Sequence, residues 1–353
     1  MYSKVKISCS HKIFFRITFA IFLIFITFQL SAQENQVIKA KSGDGIYSVL
    51  KENGYPAAEF FDQFIELNKK KLGKNNTLIA GKEYRLPLKS NEVSIEQTKK
   101  AIPEKVQEKM VNEIFGNKYR EISLKSKELS GAVFYLMSGH GGPDPGAIGT
   151  LNAHKLCEDE YAYDVTLRLA RNLIERGASV YMIIRDPNDG IRDEQYLKPD
   201  KDEVCFPGNE IPLSQLARLR QSSNAVNDLY AKNKGKFQRL VVIHVDSRSI
   251  KENIDVFFYY DKASNTGKKL ATTLMQTFGQ KYAMHQPNRG YNGSVSERNL
   301  YVIKNSYPPS VFIELGNINH KRDQQRFIIP DNRQAVANWL RDGLINDYNK
   351  RMK

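Results

Sequence analysis

Three apolar runs in this chain end in residues that an ordinary core strand does not use. The first, Val133 to Gly149, reads VFYLMSGHGGPDPGAIG and delivers His140 into a turn rich in glycine and proline. The second, VVIHVD, ends on His244 and Asp246, and the third, SVFIELGN, carries Glu314. Two imidazoles, a carboxylate from elsewhere and an open fourth position make a catalytic zinc site, in which bound water has its pKa lowered to about 7. Glu314 would then be free to shuttle protons. Taken singly, His244 suits a hydrogen-bonded core histidine and Glu314 a buried salt-bridge partner. Their joint occurrence at corresponding strand ends argues for a site.

Such residues converge only if the strands lie side by side and end at the same edge, as in open α/β sheets. The pattern from Tyr119 onward supplies that scaffold. Strands are expected at Ala132 to Met137, Ser179 to Ile184, Leu240 to Val245, Ile254 to Tyr260 and Val311 to Leu315. Helices are expected near Tyr161 to Arg176, Leu213 to Tyr230, Thr266 to Lys281 and Arg333 to Tyr348. Nearly continuous apolar runs such as RLVVIHV fit buried parallel strands, so the expected class is α/β: a mixed, mostly parallel sheet with helices on both faces.

The 353 residues leave room for a second, smaller domain. Formal net charge is +14, of which Lys4, Lys6, Lys12 and Arg16 supply four before the first acid at Glu34, leaving +10 after residue 32. A basic surface suits an anionic partner such as a cell-wall polymer. Lys and Arg are scattered rather than clustered with aromatics, which argues against a nucleic-acid reader. The amino terminus has the design of an export signal: a basic start, the apolar segment Ile17 to Leu30, then Ser31 and Ala32. Residues 1–32 are therefore expected to be removed. The apolar segment falls short of the roughly 20 residues of a membrane span, so no stable transmembrane segment is expected after cleavage, and the mature chain would lie in the periplasm or cell envelope. It keeps Cys157 and Cys205, either one disulfide or two thiols.

Residues 36–88 form a small module with a strand-like start at Val37, a capped turn at Ser42 to Gly45, helices from Ile46 and over Ala57 to Leu67, and a returning strand at Tyr84 to Pro87. This βααβ order resembles a LysM domain in its SGDGIYSVL start, central ELN and closing IAGKEYRLP. The resemblance implies binding to glycan chains containing N-acetylglucosamine. Residues 89–117 read as a linker, with an amphipathic helix after Pro103 that places Val106, Met110, Ile114 and Phe115 on one side.

The second half, residues 118–353, resembles a zinc-dependent N-acetylmuramoyl-L-alanine amidase. The matching stretches are GHGGPDPGAIG, LRLARNLIERGASVYMIIRD, VVIHVD and VFIELGNINHKRD. The resemblance implies that Zn2+ is the cofactor, that His140 and His244 are metal ligands, and that Glu314 is the catalytic carboxylate. It also implies that peptidoglycan is the partner, cut between N-acetylmuramic acid and L-alanine. The family's third ligand is a Glu at the start of the helix after the glycine loop, and counting back from Gly177 places it at Glu158. On a continuous helix Glu158 shares a face with Ala162, Val165 and Leu169, whereas Glu160 lies about 200° away. A slip at the helix start would bring in Glu160, so both stay open. An insertion at about Gly190 to Pro212, rich in Asp, Glu and Lys, either lines the cleft or forms a surface loop. Two other functions fit the same residues: a zinc peptidase cutting within the stem peptide, or a non-catalytic wall-binding regulator.

Overall fold

The computed structural model describes residues 36–41, 44–55, 57–73, 77–88, 109–286 and 289–352. The expected export signal lies outside them, as does most of the expected linker. No helix among the described residues is long and apolar enough to cross a membrane.

The small module runs β1 (Val37–Lys39), α1 (Ile46–Glu52), α2 (Ala57–Asn68) and β2 (Glu83–Arg85), with β1 and β2 antiparallel. Leu50, Phe64, Tyr84 and Leu86 close its core. Buried Asn68 ties α2 to β2, donating to the Phe64 and Arg85 carbonyls and accepting from the Arg85 N–H. The module packs against the rest of the chain through His285, whose ring lies 4.0 Å from Phe61 and 5.4 Å from Trp339.

In place of a helix over Met110 to Phe115, Lys109–Val111 forms β3, paired antiparallel with β4 (Glu121–Ser123), and Glu113–Phe115 is one 3-10 turn between them. Apolar residues four apart match a helix locally, but pairing with a strand ten residues on satisfies the backbone instead, and Phe115 goes into the main core. The end of the expected linker is thus part of the larger domain.

Next come β5 (Ala132–Ser138), the hairpin β6 (Ile148–Leu151) and β7 (His154–Cys157), and α3 (Glu158–Ile174). The chain continues through β8 (Ser179–Met182), β9 (Ile184–Arg185), β10 (Val204–Cys205), β11 (Asn209–Glu210) and α4 (Gln215–Lys232). It ends with β12 (Phe237–Asp246), β13 (Phe257–Tyr260), α5 (Asn265–His285), β14 (Ser294–Glu297), α6 (Tyr301–Asn305), β15 (Ser310–Asn317), α7 (Lys321–Ile328) and α8 (Pro330–Met352). The main sheet has the order β14-β13-β15-β12-β5-β8, parallel throughout except where β13 meets β15.

Side-chain alternation divides the core between the two faces. Phe134, Leu136, Val241, Ile243 and Ile313 pack with α3, α5 and α8, while Val133, Tyr135, Val242 and Phe312 pack with α4 and α6. His244 and Glu314 share the parity of Val242 and Phe312, so both face the α4 side. Helix α3 is buried on nearly every side, and its charged Asp164 is enclosed by Arg168 at 2.8 Å and Arg333 at 2.6 Å. Cys157 and Cys205 are both buried free thiols.

Candidate metal centre

The C-terminal edge of the sheet gathers the candidate residues. His244 pairs in register with Glu314 across β12 and β15, and adjacent strands lie about 4.8 Å apart. His140 follows β5 at φ 64°, a left-handed conformation uncommon outside glycine. Glu158 is the first residue of α3 and comes up from the opposite face. Its Oε1 lies 2.8 Å from His244 Nδ1 and its Oε2 lies 3.2 Å from His140 Nε2. One ligand atom each from His140, Glu158 and His244 lies within 4.8 Å of the other two.

Every member is held in place from behind. Glu158 accepts the Val245 N–H at Oε1 and the Ala147 N–H at Oε2. His140 Nδ1 lies 2.9 Å from Asp144 Oδ2; a carboxylate only accepts, so Nδ1 carries the proton and Nε2 faces inward. The His244 ring stacks on Phe312 at 4.3 Å. Two glycines make room: a Cβ on Gly139 would fall within 2.5 Å of three His244 ring atoms, and one on Gly146 would meet His140 at 2.6 Å and Glu158 at 2.7 Å.

Electrostatics matches a cation-binding group. Burial works against a charged His140, yet its bonds to Asp144 and Glu158 outweigh this and push it up to about 10. Burial would raise Glu158, but hydrogen bonds from His140 and His244 bring it below the usual carboxylate range. Burial lowers His244, with Glu158 opposing. These protons are what a metal displaces when it binds. Glu314 is 7% exposed, and its Oε2 has no hydrogen-bond partner among the described residues. Burial first, then the charges of Glu158 and Asp246, raises its carboxyl well above the ordinary value. Two nitrogens, one oxygen and an orphaned carboxylate beside them fit zinc with a proton carrier.

Glu160 is not in this group. Its carboxylate pairs with Arg192 at 2.8 Å and accepts the Asp200 N–H. Asp144 and Glu203 were not singled out from the sequence. Asp144 is brought back to His140 by the glycine-rich turn between them, whereas Glu203 arrives on the insertion and accepts the Gly142 N–H at 2.6 Å. The insertion also puts Ile211 beside His140 in an apolar pocket of about 200 Å³ that Met137, Leu219 and Leu300 help to line. It therefore lines the cleft.

A mostly parallel α/β sheet carrying a histidine–glutamate–histidine group at its C-terminal edge defines the class of protein. Residues 134–346 match the family model described as N-acetylmuramoyl-L-alanine amidase. The chain belongs to that family. It is 26% identical over 231 residues to the germination-specific N-acetylmuramoyl-L-alanine amidase of Bacillus subtilis (strain 168), covering 64% of this chain and 84% of that one. Against the probable cell wall amidase LytH of Staphylococcus aureus the identity is 25% over 222 residues, covering 61% of this chain and 58% of that one. Among solved structures, the N-acetylmuramoyl-L-alanine amidase from Clostridium difficile 630 aligns over 63% of this chain and all of that one, with TM-score 0.46 and 18% identity.

Proposed function

We propose that this protein is an exported, zinc-dependent cell-wall hydrolase that cuts the amide bond between N-acetylmuramic acid and L-alanine of peptidoglycan. The observation that carries the reading is the convergence of His140, Glu158 and His244 within 4.8 Å, with the Glu314 carboxylate beside them, its Oε2 unbonded among the described residues. His140, Glu158 and His244 would hold the zinc, which would supply a Lewis acid for the scissile carbonyl and a water with its pKa lowered to about 7. Glu314 takes the proton of the attacking water and passes it to the leaving amine nitrogen. Asp144 fixes the His140 ring with Nε2 toward the centre. Met137, Leu219 and Leu300 keep one side of the cleft apolar and limit water there.

Residues 36–88 act as a LysM glycan-binding module, and tethering to glycan strands raises the local substrate concentration. The basic start and apolar run of residues 1–32 support export to the periplasm or envelope. The test is mass analysis of purified peptidoglycan after digestion. Intact stem peptides with free L-alanine amino termini are expected from the wild type and none from Glu314→Ala. Cuts inside the stem peptide would point to a peptidase, and no release at all to a non-catalytic binder.

A further inference from the structure

A second group of carboxylates lies beside the histidine site and is not used by it. Asp159 and Glu160 follow Glu158 on α3, and the insertion brings Glu203 against them. One oxygen from each lies within 4.8 Å of the other two, and all three residues are buried. Burying an ionised carboxylate costs several kcal/mol unless it is compensated, and three together repel one another.

Compensation within the fold is incomplete. Glu160 has Arg192 at 2.8 Å, but that guanidinium is shared with Asp189. Glu203 accepts the Gly142 N–H. Asp159 is 2% exposed; its Oδ1 accepts the Glu160 N–H, and its Oδ2 has no hydrogen-bond partner among the described residues. Both Glu160 oxygens are bonded, to Arg192 and to the Asp200 N–H, which leaves Asp159 Oδ2 as the unbonded oxygen in a pocket of three carboxylates and one shared guanidinium.

We propose that Asp159, Glu160 and Glu203 hold a divalent calcium ion that fastens the insertion to the start of α3. An all-oxygen donor set without His or Cys favours a hard cation over zinc, and oxygens this close can share a centre at about 2.3–2.6 Å. Glu203 is also bonded to Gly142 and packs on Gly141, where an added Cβ would lie 3.4 Å from its own. The ion thus braces the turn that carries His140. A neighbouring set, Asp186, Asp200 and Glu203, shares one carboxylate with this site. Asp200 is the one member of that set that is not buried, and Asp186 Oδ1 already accepts two backbone N–H groups. The calcium site goes beyond the proposed reaction and stands whatever bond the enzyme cuts.

The test is calorimetric titration of the full chain with Ca2+, its zinc content recorded beforehand, together with thermal unfolding with and without Ca2+. One Ca2+ per chain and a Tm that rises with its concentration are expected. Glu203→Gln and Asp159→Asn should each weaken binding at least about tenfold, and Asp200→Asn should not. Circular dichroism of each variant distinguishes a lost site from a lost fold. The proposal is overturned by absence of saturable Ca2+ binding to the wild type, by unchanged binding in folded Glu203→Gln, or by loss in Asp200→Asn with retention in Asp159→Asn.

Discussion

His140 Nδ1 lies 2.9 Å from Asp144 Oδ2, and Arg218 Nη2 approaches the same oxygen at 2.5 Å. The hydrogen bond to His140, with the charge of Arg218 behind it, brings the Asp144 carboxyl down to about 2. Asp144 therefore stays ionised and fixes the ring. Asp144→Asn keeps the shape and removes the charge. Zinc affinity, measured by competition with a chelator, should fall about 10- to 100-fold.

Glu314 occupies a different role, because it faces the site without bonding to the histidines. Glu314→Gln should keep the zinc content of the wild type while the rate of peptidoglycan hydrolysis falls about 10²- to 10⁴-fold. Metal analysis and rate measurement on the same preparation check both halves. A parallel loss of zinc would assign Glu314 to the ligand set instead.

His285 makes the packing of the small module sensitive to pH. Burial among Phe61, Tyr47 and Trp339, with the charge of Lys281 adding to it, brings its pKa down from 6.5 to about 4. Because the packed ring resists protonation, the contact is at full strength above about pH 6.5. Between that value and about 4 the separated state, in which the ring is less buried, takes up the proton more readily, and the packing weakens as the pH falls. Small-angle scattering at pH 7.5 and 4.5 should show a more extended chain at the lower pH. His285→Phe should reduce that difference.

The buried cluster around Asp164 joins α3, α8 and the insertion. Arg333 is fully buried and bonds Asp164 as well as the Arg192 and Glu194 carbonyls. Arg333→Ala leaves those acceptors short of a donor and should cost about 3–5 kcal/mol in chemical denaturation. Lys69→Ala, which removes an exposed pair with Glu66 at 3.5 Å, should stay within about 1 kcal/mol of the wild type.

His140, His244 and Glu314 are legible in the sequence because each interrupts or ends an apolar run that would otherwise stay apolar. The sequence favours Glu158 over Glu160 by counting and by helical face but leaves both open. The choice depends on where α3 starts, and Cys157 as its N-cap places Glu158 first, with Val245 and Ala147 donating to it. The helix pattern over Met110 to Phe115 misleads because strand pairing with Glu121–Ser123 is not a local property. The reversed direction of β13 against β15 is hidden for the same reason: a buried run has the same composition in either orientation. Glu203 meets Asp159 across a separation in sequence that no local pattern reports.

The most direct test of the account is the zinc content of the purified wild type, Glu158→Gln and Glu160→Gln. His140, Glu158 and His244 as one centre predict about one zinc per chain in the wild type and in Glu160→Gln, and close to none in Glu158→Gln. A wild type without zinc, or a Glu158→Gln variant that keeps zinc while Glu160→Gln loses it, would contradict the assignment.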